Sequence, residues 1–181
     1  MKIDIYNTDK KYDIIYADPP WSYNDKRGHT AKWGAIPYPT MDIEQIRNLP
    51  VSKLAGKNSV LFFWVTMPLL NKAFDIIHSW GYTYKTCGFC WVKQNPKSEG
   101  IYSGMGHWTN GNAELCLLAT KGKPQRICKS VKQIVFAHRT RHSEKPNEVR
   151  ERIVQLLGDI PRIELFARQQ ADGWDCWGNE V

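Results

Sequence analysis

The sequence predicts an α/β domain in which a mostly parallel sheet is flanked by helices. Three observations predict it. Apolar runs of strand length, such as residues 12–16 and 59–65, alternate along the chain with amphipathic helical segments, the order that builds helix-covered sheets. The run 59–65 is apolar at nearly every position, as a strand covered on both faces should be. Proline opens the later helical segments and glycine closes them, which is the asymmetry that helix ends prefer.

Residues 12–16 read as a buried strand that runs into Ala17-Asp18-Pro19-Pro20-Trp21. Asp42 and Glu44 then mark the first turn of a short helix, with Ile43, Ile46 and Leu49 as its apolar face and Pro50 as its stop. After the strand 59–65, Pro68 opens a second helix. Its face is Leu69, Ala73, Ile76, Ile77 and Trp80, and Gly81 is its C-cap. Residues 82–93 read as a strand, and 94–112 as a long polar loop containing Gly100, Gly104, Gly106 and Gly111. A loop of that length in a compact domain is usually functional. A strand at 114–120, a turn at Lys121-Gly122-Lys123-Pro124 and a shorter strand at 134–137 follow. Pro146 opens a third helix through Leu157, with Val149, Ile153, Leu156 and Leu157 inward and Gly158 as its end. Residues 162–167 read as a last strand. Ligands on such sheets bind beyond the carboxyl ends of the strands, so Asp18 to Trp21 and Arg168-Gln169-Gln170 are expected on one rim.

With 181 residues, 42% hydrophobic and 24% charged, the expectation is a single domain over 1–181 with no long disorder. No stretch approaches the ~20 apolar residues of a membrane span, and no signal-peptide core follows Met1. The expected setting is therefore the cytoplasm, without a membrane partner. Lys and Arg exceed Asp and Glu by 25 to 18, a net charge of +7, which favours a polyanionic partner. Five cysteines without a secretory signal point to a reducing compartment. Cys87-Gly-Phe-Cys90 lies in a β-rich context and has no companion pair. The two thiols are expected on opposite faces of a strand, and neither a redox pair nor a metal site is predicted.

The Asp18-Pro19-Pro20-Trp21 group is rich in acceptors. Asp18 supplies a carboxylate, and the two prolines fix φ and lack N–H donors, leaving carbonyls for a ligand. An exocyclic aromatic amine offers two N–H donors, which Asp18 and the Pro19 carbonyl can accept together while Trp21 stacks on the base. Holding both protons frees a lone pair that is otherwise delocalised into the ring. An activated methyl group placed in line then needs only orientation and electrostatics. The plainer alternative is that the four residues merely turn the chain, with Trp21 in the core.

The sequence resembles the Asp-Pro-Pro-Trp adenine-N-6 methyltransferases, called the MT-A-seventy type. Tyr38-Pro-Thr-Met41, Leu61-Phe-Phe-Trp-Val-Thr66, Trp80-Gly-Tyr82, Trp91-Val-Lys93, Gly106-His-Trp108, His142-Ser143 with Lys145-Pro146, Glu164-Leu-Phe-Ala-Arg168 and Trp177-Gly-Asn179 follow in the family's order. The resemblance implies a Rossmann-like class I methyltransferase fold that binds S-adenosyl-L-methionine without a Gly-x-Gly loop. It implies Asp18, Pro19, Pro20 and Trp21 as the catalytic group. Glu164, Arg168, Asn179 and Glu180 are implied around the cofactor's ribose and adenine, Lys145 near its carboxylate, Asp18 among the cofactor-binding residues as well, and Gln170 more weakly.

On the substrate side Tyr38 is implied as a wall for the target base, and Tyr23, Lys93, His107 and Trp108 fall in the loops that would meet nucleic acid. The basic residues Lys26, Arg27, His29, Lys32, Lys129, Lys132, Arg139 and Arg141 would add phosphate contacts. Two departures stand out. Pro39 replaces a glycine common in the family, and His142-Ser143-Glu144-Lys145-Pro146 replaces Ser-His-Lys-Pro, which leaves His142 without a clear role. The implied partner is DNA in a phage or bacterial setting, with RNA or a non-catalytic partner subunit as the alternatives. A homodimer or a heterodimer with a related subunit is the expected assembly, although no residue pattern fixes it.

Overall fold

The computed structural model describes residues 1–22, 39–104, 108–140 and 144–181. Tyr23, Tyr38, His107, Arg141, His142 and Ser143 lie outside the described residues, as do Lys26, Arg27, His29 and Lys32.

Seven strands form one sheet. In chain order they are β1 (Tyr12–Ala17), β2 (Ala55–Val65), β3 (Thr83–Gln94), β4 (Ala113–Lys121), β5 (Ile134–His138), β6 (Arg162–Leu165) and β7 (Asp175–Trp177). Their spatial order is β5-β3-β4-β2-β1-β6-β7. β1 is parallel to β2 and β6, β3 to β5, and β6 to β7, whereas β4 is antiparallel to both β2 and β3. Six strands thus end on one rim and β4 begins there. The order reverses at β1, whose neighbours β2 and β6 leave on opposite sides, and a crevice opens at such a switch point.

Among the described residues four α-helices cover the sheet: α1 (Ile43–Arg47), α2 (Val51–Leu54), α3 (Leu70–Ser79) and α4 (Asn147–Leu157). Asp42 caps α1 through its side chain, and Gln45 returns the bond to the Asp42 backbone, so two orphan donors are satisfied at once. Pro50 does stop α1, but it also opens α2, which the sequence pattern does not announce. Pro68 sits in a short 3-10 turn over Met67–Leu69 that leads into α3.

Ile46, Ile76, Ile77 and Trp80 pack with Ile15, Leu61, Phe63 and Leu117 on one face of the sheet. On the other face Val149, Ile153 and Leu157 of α4 meet Ile14, Tyr16, Phe62, Phe89, Trp91 and Val135. From residue 59 to 65, β2 is buried on both faces, as that apolar run predicts. Among the described residues no helix is long and apolar enough to cross a membrane.

Cys87 and Cys90 do not point to opposite faces. A bulge between Cys87 and Phe89 shifts the register, so Cys87 pairs with Leu117 and Cys90 with Leu115, two residues of β4 that share a face. Burial pushes both thiols up, away from the thiolate that redox chemistry needs.

Candidate active site

A cleft opens where β1, β6 and β7 end. Among the described residues Asp18, Pro19 and Pro20 form one wall, with Pro39 and Met41 beside them, and Phe166, Ala167, Arg168, Trp177, Gly178, Asn179 and Glu180 line the cleft as well. The two strand-end walls come very close together. Ala167 donates its N–H to the Trp177 carbonyl at 2.9 Å, and a Cβ on Gly178 would fall 2.3 Å from the Ala167 carbonyl oxygen. Phe166 takes a left-handed φ of 63°, a conformation that costs a non-glycine residue energy and needs support. Its ring rests edge-on against Trp177, with centroids 5.3 Å apart.

Asp18 lies directly beyond β1 with its side chain 20% exposed. Lys145 donates to its Oδ2 at 2.7 Å, and no donor among the described residues is placed on Oδ1. Burial pushes the Asp18 carboxyl up to about 6, against the pull of Lys145. Lys145 is 5% exposed and makes a second ion pair with Glu114 Oε2 at 3.2 Å. Glu114 in turn accepts from Lys93 Nζ at 2.5 Å. Burial alone would raise the Glu114 carboxyl, but Lys145 and Lys93 outweigh it and hold it below its usual range.

The rest of the motif is more structural than its sequence suggests. Trp21 is 5% exposed, its indole N–H donates to the Trp64 carbonyl at 3.3 Å, and its ring meets Phe63 edge to face. It therefore packs in the core and is not among the described residues that line the cleft, an arrangement that favours the plainer alternative of a turn anchored by Trp21 over stacking on a base. The Pro19 carbonyl accepts the Trp21 N–H at 2.9 Å and the Pro20 carbonyl accepts the Met41 N–H at 2.8 Å. Neither carbonyl is wholly free for a ligand; each has one lone pair already engaged.

Arg168 and Glu180 reach each other across the cleft, Nε to Oε1 at 2.8 Å, beside Asn179. Glu164 does not line the cleft. Its carboxylate is 7% exposed and gripped by Arg150, which also binds Asn147. Gln170 lines a different groove, together with Asn147, Arg150 and Trp174. Trp108 is 94% exposed in the segment between β3 and β4, which is tied by bridges from Gln94 to Ile101 and from Gly104 to Gly111. Arg139 stacks on Tyr102 of that segment at 4.1 Å.

Two charged groups in this region escape the sequence reading. Glu114 interrupts an otherwise apolar strand where it starts, and Arg150 interrupts the apolar face of α4 between Val149 and Ile153. In each case the signal is a charge inside a buried pattern, which has to find a partner.

The family model MT-A70 matches residues 12–180. The chain belongs to the MT-A70 family. A type II methyltransferase, M.MunI of a Mycoplasma species, is 33% identical over 95% of this chain and 78% of its own length. The N(6)-adenosine-methyltransferase catalytic subunit METTL3 of Homo sapiens is 30% identical over 94% of this chain, which spans 28% of that protein. The MT-A70-like N(6)-adenosine-methyltransferase of Arabidopsis thaliana is 29% identical over the whole chain, which spans 25% of its length. The sheet and its helices accordingly form a Rossmann-like methyltransferase fold of this MT-A70 member.

Proposed function

We propose that this protein methylates the exocyclic N-6 amine of adenine in DNA, with S-adenosyl-L-methionine as the methyl donor. The observation that carries the reading is Asp18: one carboxylate oxygen is fixed by a buried ammonium and the other is left to the cleft.

The cleft fits that donor by the chemistry of its walls. Phe166, Trp177 and Met41 suit an aromatic base, Asn179 and Glu180 suit sugar hydroxyls, and Asp18 beside Lys145 suits a charged amino-acid end. When bound, the cofactor supplies a methyl group on a sulfonium, which is electrophilic without further activation.

Asp18 Oδ1 accepts one N–H of the target amine, and the remaining lone pair of the Pro19 carbonyl is placed to take the other. The amine lone pair is thereby turned out of the ring and toward the donor. After transfer the nitrogen carries one proton too many, and a carboxylate held near 6 can receive it and pass it to solvent. Lys145 keeps Asp18 anionic before transfer. Trp21 supports the motif from the core by fixing the turn.

DNA as substrate is supported by the relative M.MunI, which is similar over most of its length, and by the net charge of +7. The segment carrying Trp108, with Lys93 and Arg139 near its base, is the proposed nucleic-acid contact. A paired target adenine has to leave the stack to reach Asp18, at a cost of roughly a few kcal/mol. The test is transfer from labelled S-adenosylmethionine to matched DNA and RNA, followed by mapping of the methylated adenines. Methylation of DNA that is lost in Asp18→Ala supports the reading. Transfer to RNA alone favours the adenosine enzymes as the model, and no transfer to either substrate overturns it.

A further inference from the structure

Four charges of alternating sign run along the rim, from Lys93 at the end of β3 to Glu114 at the start of β4, then Lys145 before α4 and Asp18 after β1. The contacts are 2.5, 3.2 and 2.7 Å in that order. All four side chains are at least four-fifths buried, so each charge depends on its neighbours rather than on water. A lysine is a compact charge with three donors on a flexible stem. Paired with Asp18 alone, its ammonium would be free to swing across and bridge both carboxylate oxygens. Glu114 draws it back to Oδ2 and leaves Oδ1 open, and Lys93 in turn pins Glu114.

We propose that Glu114 is a positioning residue of the transfer reaction: anchored on Lys93, it shares the Lys145 ammonium with Asp18 and so sets both the aim and the charge of that carboxylate. This rests on the reading of Asp18 as the acceptor of the target amine. Among the described residues the groups that act on Asp18 are Lys145, Glu114 and Glu164, the last neutralised by Arg150, together with the Cys116 thiol. Burial keeps that thiol protonated. Among them Glu114 is the negative charge whose own compensation comes from outside the cleft, through Lys93.

The two partners therefore act on Asp18 with opposite sign. Removing the Glu114 charge makes Asp18 easier to ionise, and removing Lys93 leaves Glu114 less compensated and makes Asp18 harder to ionise. The experiment is single-turnover methyl transfer at saturating DNA and S-adenosylmethionine, followed across pH for wild type, Glu114→Gln, Glu114→Asp and Lys93→Gln. Glu114→Gln is expected to lower the rate roughly tenfold and to move the acid limb down by about one pH unit. Lys93→Gln moves the limb up, and Glu114→Asp restores its position.

Limbs that stay put in both variants, or that move the same way in both, overturn the assignment, because a merely structural role would not give opposite signs. Should Glu114→Gln fail to fold, the upward shift in Lys93→Gln carries the test alone, and its absence overturns the proposal. Asp18→Ala separates the two readings. If it still transfers methyl groups, the role of Asp18 is wrong; if it is inactive while the limbs do not move, the role of Glu114 is wrong.

Discussion

The Arg150 guanidinium grips the Glu164 carboxylate with two hydrogen bonds, Nε to Oε2 at 2.6 Å and Nη2 to Oε1 at 2.8 Å, and so ties α4 to β6 beneath the rim. Breaking a buried pair strands the surviving charge, at a cost of about 3–5 kcal/mol. Arg150→Ala should therefore lower the denaturant midpoint sharply, while Arg150→Met with Glu164→Leu should recover most of the loss. If Glu164→Gln instead weakens cofactor binding in calorimetry and leaves the midpoint unchanged, Glu164 belongs to the ribose site after all.

Asp18 works against the fold at neutral pH. Its folded pKa of about 6 lies above the ordinary aspartate value of 3.8, so the native state holds its proton more tightly than the unfolded chain. The stability this brings is fully present below about 4 and is lost as pH rises through 6. Asp18→Asn, which cannot ionise, should match wild type near pH 4 and exceed it above pH 6, by at most about 3 kcal/mol. It should have lost methyl transfer throughout. Thermal unfolding across that window checks the sign, and an Asp18→Asn protein that is less stable above pH 6 would refute it.

Trp21→Ala should cost about 3–5 kcal/mol, the range for emptying a large aromatic site in a core, and Trp21→Phe much less. Were Trp21 a stacking residue, Trp21→Ala would weaken binding of the target strand and barely move the melting temperature. Parallel measurement of both quantities decides between the two.

Gly178→Ala puts a Cβ 2.3 Å from the Ala167 carbonyl oxygen, and the offending atom is backbone. The two strand ends have to separate, at a cost of about 1–3 kcal/mol. Because these ends are also cleft walls, the melting temperature and the affinity for S-adenosylmethionine should fall together. Gly81→Ala is a control: it meets nothing within 4 Å, although its φ of 80° carries the ordinary penalty. It should lose stability alone.

The strands and the three longest-patterned helical segments were legible because burial writes itself as periodicity: β2 reads as an unbroken apolar run and α4 as an apolar stripe. β7 was not legible, since Asp175-Cys176-Trp177 is too short to show a period and forms by pairing beside β6. The reversal of β4 also leaves no local trace, because strand direction is a property of the neighbours. In the site, Asp18 stood out by its prolines. Trp21 misled, because an aromatic beside a motif has the same letter whether it faces a ligand or the core. Glu114 and Arg150 were hidden by distance in sequence, since each is explained only by a partner from another element.

The reversed strand β4 lets the chain leave the sheet at Gln94 and re-enter it at Ala113 on the same rim that carries Asp18. Everything between those two residues can change length or composition while the sheet beneath keeps its register. On the proposed reading, in which this segment meets the target strand, a methyltransferase built this way acquires a new target preference at the rim while the chemistry below it stays as it is.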